Sequence, residues 1–139
     1  MRITKALLVA ALIALATPAF ADQANLDRAV KDALKTFRAG GEPALQQKVE
    51  ICETGVDWTG AVDSPQKQVE YCAALEFAGL AIIRHDGKQD LAEYFKAADV
   101  WVRVNYIASR ARVIELPEQV APYWTPRIKY VNKRVEELI

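Results

Sequence analysis

The chain carries a single histidine, His85, and only two cysteines among its 139 residues. One imidazole cannot build the multi-histidine sites of zinc enzymes, and it leaves little scope for triad chemistry. No charge excess exists either, since 18 basic residues balance 18 acidic ones. That is not the footprint of a polybasic nucleic-acid binder. A phosphate-cradling loop is missing, because Gly40-Gly41 leads to Pro43 rather than to a P-loop lysine. Asp86-Gly87-Lys88-Gln89-Asp90 lacks the serial oxygen ligands of a calcium loop. Ser64 and Ser109 lie in no nucleophile elbow. His85, beside Asp86 at an expected helix end, suits interaction with the helix dipole better than catalysis. No catalytic, cofactor-binding or metal-ligating residue is therefore expected, and no cofactor.

The amino-terminal segment is the most specific feature present. Arg2 and Lys5 precede an apolar run from Leu7 to Ala16, followed by Ala19-Phe20-Ala21 with small residues at cleavage spacing. This is the order of a secretory signal peptide, with cleavage expected after Ala21. The run is shorter than the roughly 20 residues that span a bilayer, so a membrane anchor is not expected. Residues 1–21 thus read as a signal, and 22–139 as a single helical domain in the periplasm or outside the cell. From residue 22 onward there are 16 basic and 18 acidic residues, net −2. Residues 22–100 carry net −5 and residues 101–139 net +3. Such a split can steer a partner, or draw the two halves together.

The fold class expected is all-α, a small bundle of about five helices with one disulfide. Leu26, Val30, Leu34 and Phe37 recur at helical spacing over about 23–38. Gly40-Gly41 should end that helix, and Pro43 should open a short second one to about Glu53. Ser64 is placed to cap a third helix, with Pro65 at its first position and Asp86-Gly87 at its end. A fourth helix is expected from about Asp90 to Glu115. A last one is expected from Thr125-Pro126, with Ile128, Val131, Val135 and Leu138 inward. The even cysteine count in an exported chain favours a Cys52–Cys72 bridge over a reactive thiol, because neither sits in a Cys-x-x-Cys motif.

That bridge would pin both ends of the loop from Thr54 to Asp63. Trp58 lies there beside Asp57, away from any apolar period. It either folds back onto the bundle or projects as an interface anchor, a role in which tryptophan is enriched. Tyr123-Trp124, between Pro122 and Pro126, reads as a second aromatic loop or as a plug over one end of the bundle. Asp57, Trp58, Tyr123 and Trp124 are the candidate partner-binding residues. Paired carboxylates can perform glycosidase chemistry, but Glu50 with Glu53 and Glu136 with Glu137 read as solvated helix faces. The basic residues from Arg103 to Arg134 are diluted by acidic neighbours, so no nucleic-acid partner is expected.

Two resemblances add to this. The stretch Gly79-Leu80-Ala81 through Gly87 to Leu91-Ala92-Glu93-Tyr94-Phe95-Lys96-Ala97-Ala98 resembles one tetratricopeptide hairpin, although repeat solenoids need several. The signal ending Ala19-Phe20-Ala21, the short helical body, the Cys52/Cys72 pair and the loop from Gly55 to Gly60 together resemble small helical periplasmic immunity proteins of type VI secretion amidase effectors. That resemblance implies binding to a secreted cell-wall hydrolase, occlusion of its active site, and homodimer formation. The expectation is an exported protein-binding module, an immunity protein or inhibitor. The alternatives are an envelope adaptor with a repeat-like hairpin, or a carboxylate-dependent cell-wall enzyme.

Overall fold

The computed structural model describes residues 21–88 and 90–139; the expected signal segment lies outside them, apart from Ala21. The described chain is all-α. Its helices are α1 (Gln23–Thr54), α2 (Pro65–His85), α3 (Ala97–Arg110) and α4 (Val120–Leu138), with a 3-10 turn at Pro117–Gln119 before α4. α1 is two rods joined at Gly41, whose φ of 69° and ψ of −160° lie outside the helical region. The glycine pair therefore breaks the axis where the sequence places a boundary, and Pro43 opens the second rod. Counted as rods, five helical pieces are present.

α2 is the central element, packed against α1, α3 and α4. Its start follows local chemistry: the Ser64 hydroxyl accepts from the Lys67 amide at 3.2 Å, and Pro65 occupies the first turn. Val69, Cys72, Ala73, Leu75, Phe77, Ala78, Ile82 and Ile83 are buried around nearly its whole circumference, as a helix enclosed on several sides requires. Asp86-Gly87 ends it in a Schellman motif, with Lys88 N donating to Ile83 O and Gly87 N to Arg84 O, and Gly87 at φ 69°.

Three boundaries differ from expectation. The fourth helix begins at Ala97 rather than near Asp90, and ends at Arg110 rather than Glu115. Residues 90–96 form turns that tuck Ala92 and Phe95 into the core. The second arm of a tetratricopeptide-like hairpin is therefore not formed where the resemblance places it. The last helix begins at Val120, five residues before the expected Thr125. Pro122 falls in its first turn, where amide groups lack helical acceptors, so the missing N–H matters little. Pro126 sits one turn further and forfeits one bond. Burial of Trp124, Val131 and Val135 on the same helix outweighs that loss. Tyr123 and Trp124 are thus helical rather than in a loop.

Cys52 and Cys72 are bonded, with Cα atoms 5.6 Å apart and a sequence separation of 20. A closed segment of this length stabilises a fold by about 3 kcal/mol. Among the described residues no helix is long and apolar enough to cross a membrane.

Candidate functional site

The loop after the disulfide is organised by Asp57. One of its carboxylate oxygens accepts from the Thr59 amide at 2.9 Å and from the Thr59 hydroxyl, and the other from the Ala61 amide at 3.1 Å. These donors, Thr59 first, hold its carboxyl below the usual carboxylate range. The Asp57 amide donates to Gln68 Oε1 at 2.8 Å, and Gln68 Nε2 reaches Asp63 O at 2.8 Å. Both oxygens of Asp57 are thus engaged in shaping the loop, which leaves it poorly placed as a direct partner contact. Trp58 is half-buried against the core, and the Arg110 guanidinium lies over its ring, 4.2 Å from the centroid.

Arg110 joins the loop to α3. Val100, Val104, Ile107 and Ala108 of α3 face the core, whereas Val102 and Tyr106, one turn apart, are 70% and 63% exposed. Gln66 Nε2 donates to Ala111 O at 2.9 Å and ties the start of α2 to the end of α3. The chain then passes through Arg112, the one non-glycine residue with positive φ among those described, at 58°. Val113 N bonds Ala108 O, and Arg112 N bonds Ser109 O, which is the same Schellman geometry that Gly87 makes after α2. Arg110 and Arg112 are exposed and enter no ion pair among the described residues. Trp58, Arg110, Tyr106 and Val102 therefore form a continuous aromatic and basic strip.

The other aromatic pair behaves differently. Trp124 is 1% exposed, donates Nε1–H to Asn105 Oδ1 at 2.8 Å, and meets Phe77 edge-on at 5.3 Å. Tyr123 is partly buried, with Arg127 over its ring at 3.7 Å. Of the two sequence alternatives for this pair, the structure takes the inward one. Trp124 is core, not a surface anchor, because the α4 start encloses it.

Among the described residues, charged side chains are buried at two places. Glu76 on α2 is 0% exposed and receives both Nε and Nη2 of Arg103, the latter at 2.9 Å. Arg103 also donates to Tyr94 O at 2.9 Å and stacks on the Tyr94 ring at 3.8 Å. Glu53, at the end of α1, faces this pair. Burial first, then the negative charge of Glu76, pushes its carboxyl up to about 8. Burial also raises Glu76, and Arg103 opposes that rise. Glu53 Oε1 is buried without a hydrogen-bond partner, which disfavours the ionised form. Glu53 is therefore not part of a solvated face, contrary to the reading of the Glu50/Glu53 pair. The second place is Glu70 with Arg127, at 2.8 Å and almost wholly buried.

Sequence reasoning counted Arg103 only among diluted basic residues and assigned no role to Glu76 or Glu70, although a signal was there. Glu76 interrupts the apolar stretch from Ala73 to Gly79, and Arg103 sits inside Val100 to Val104. A lone charge within an apolar run must find a partner when that run is buried. Chemically the Glu53/Glu76 pair can hold a proton near neutral pH. Neither carboxylate lines the surface grooves beside Ile51 and Tyr71, beside Arg84 and His85, or beside Asn132 and Lys133. No group of three or more His, Cys, Asp or Glu side chains that could hold a metal ion occurs among the described residues. No family model, curated protein or solved structure matches the chain.

Proposed function

We propose that the protein is an exported helical binding module that engages a protein partner through the strip formed by Trp58, Arg110, Tyr106 and Val102. The observation that carries this reading is the exposure of Val102 and Tyr106 on the outer face of α3, continued by Arg110 onto the disulfide-held Trp58 loop. Isolated exposed apolar residues are ordinary. A contiguous row with an aromatic ring and a stacked tryptophan has the composition of a binding hot spot. Holding the loop by Asp57, Gln68 and the disulfide lowers the ordering cost of association. The free guanidinium groups of Arg110 and Arg112 favour a partner with carboxylates beside an apolar recess.

The specific form of the proposal is an immunity protein or inhibitor that neutralises a secreted cell-wall hydrolase, which rests on the resemblance in organisation. The test is photo-crosslinking from position 106 in envelope preparations, with position 129 as control, followed by calorimetry with the captured partner. Tyr106→Ala and Trp58→Ala should each weaken binding about 30-fold, equivalent to about 2 kcal/mol. Unchanged affinity in both variants overturns the strip as the site. A captured hydrolase that stays active when saturated overturns the inhibitor form. A second reading, chemistry through carboxylates, has one observation in its favour, the raised acids Glu53 and Glu76. Turnover of cell-wall material that Glu53→Gln abolishes would carry it.

A further inference from the structure

We infer that Glu70 is a binding site for the chain's own processed amino terminus: the α-ammonium group of Asp22, released by cleavage after Ala21, docks on the buried Glu70 carboxylate beside Arg127. This inference rests on the expected cleavage site and is independent of the partner-binding strip.

The backbone nitrogen of Asp22 is 3.3 Å from Glu70 Oε1, across 48 residues of sequence. The same oxygen accepts from Asn25 Nδ2 at 3.3 Å, and Oε2 accepts from Arg127 Nε at 2.8 Å. Asn25 is itself buried and held on every side. Its Nδ2 donates to Lys67 O at 3.0 Å, its amide to the Asp22 carboxylate at 3.1 Å, and its Oδ1 accepts from Arg28 at 3.0 Å. Arg127 is fixed in turn by Tyr123 O at 2.8 Å. The first residue of the expected mature chain therefore ends on a buried carboxylate that joins α1, α2 and α4. Nothing in helix capping requires this, because Asp22 caps α1 with its side chain, which accepts from Asn25 N, and with its carbonyl, which accepts from Leu26 N at 3.0 Å; neither involves its own N–H.

Hydrolysis of the 21–22 peptide bond adds one water. The hydroxyl goes to the Ala21 carbonyl carbon. The water's remaining hydrogen and a solvent proton go to the Asp22 nitrogen. A neutral amide with one N–H becomes an ammonium group with three, at the same place. Its charge then faces Glu70 directly and its own side-chain carboxylate nearby, so two anions meet two cations, the ammonium and Arg127. The positive end of the α1 dipole opposes an ammonium group there. That effect is a fractional charge spread over a turn, whereas Glu70 is a full charge in contact and shielded from water, so attraction wins. Ala21 rests partly buried against the core, so cleavage belongs to the emerging, unfolded chain, and folding follows it.

The experiment compares three chains at about pH 6.5, where an α-amine is charged: one beginning at Asp22 with a free amine, the same chain acetylated at Asp22, and one beginning at Ala21. The free amine should melt at least about 3 °C above both others. The gap should vanish in Glu70→Gln, and also in Glu70→Gln combined with Arg127→Met, which removes the stranded cation if the single variant fails to fold. Equal melting of free and acetylated chains overturns the inference, as does a gap that survives loss of Glu70. An exported protein whose first residue by sequencing is not Asp22 overturns it as well.

Discussion

Phe95 lies directly on the bare backbone of Gly79. A Cβ built on Gly79 would come within 2.3 Å of Phe95 Cε1, and Phe95 is itself 1% exposed. Alanine is a better helix former than glycine by about 1 kcal/mol, so an exposed Gly79 would favour replacement. Here the ring has no free space to retreat into, and overpacking a filled core costs about 1–3 kcal/mol. Gly79→Ala should therefore lower the melting temperature, and adding Phe95→Leu should recover part of the loss. Calorimetry of the three proteins checks this; a stabilised Gly79→Ala would contradict the packing.

The proton on Glu53 sets a pH dependence. Its folded-state value of about 8 lies above the ordinary 4.5, so the folded chain binds a proton that the unfolded chain releases between those limits. Stability from this group is full below the lower value and is lost as pH rises towards the upper one. Asp27, Asp57 and Glu137 are shifted downwards and act in the opposite sense only at more acid pH. Glu53 faces Glu76, Glu50, Arg103 and Tyr94 and is only partly buried, so water screens part of the effect. The wild type should lose about 3 °C in melting temperature between about pH 5 and pH 8. Glu53→Gln should flatten that slope. A wild-type curve without slope in this window would show that Glu53 titrates normally.

Arg112 occupies the left-handed position of a helix cap that Gly87 fills elsewhere in the same chain. A side chain there costs about 1 kcal/mol relative to glycine, and glycine gives part of that back as unfolded-state entropy. Arg112→Gly should stabilise the fold by about 0.5 kcal/mol, measured by urea unfolding. Strained residues persist where they have a use. If Arg112 serves the binding strip, the same variant should weaken partner binding while raising stability.

Legibility followed the range of the interactions. The start of α2 at Ser64-Pro65 and its end at Asp86-Gly87 are written in adjacent residues, because a cap is made by side chains within three positions of the helix end. The kink at Gly41 is equally local. The start of α3 is not local, since Lys96 offers no capping side chain and Phe95 is drawn out of the helix by Gly79, sixteen positions earlier. Its end is hidden because an arginine stands where a glycine would have announced it. The candidate site divides the same way. Trp58 was visible as a tryptophan outside any apolar period, whereas Tyr106 and Val102 looked like ordinary members of a helix.

Residue order alone determined the helical class, the central place of α2, the cysteine pairing and the main breaks, because these depend on periodicity, caps and a parity count. Tertiary packing decided which charges are buried, which face of α3 is left bare, and whether Trp58 and Trp124 turn inward. Those outcomes depend on which residues from distant helices share a volume from which water is excluded. Burial is a property of neighbours in space, and no spacing along one chain segment encodes it.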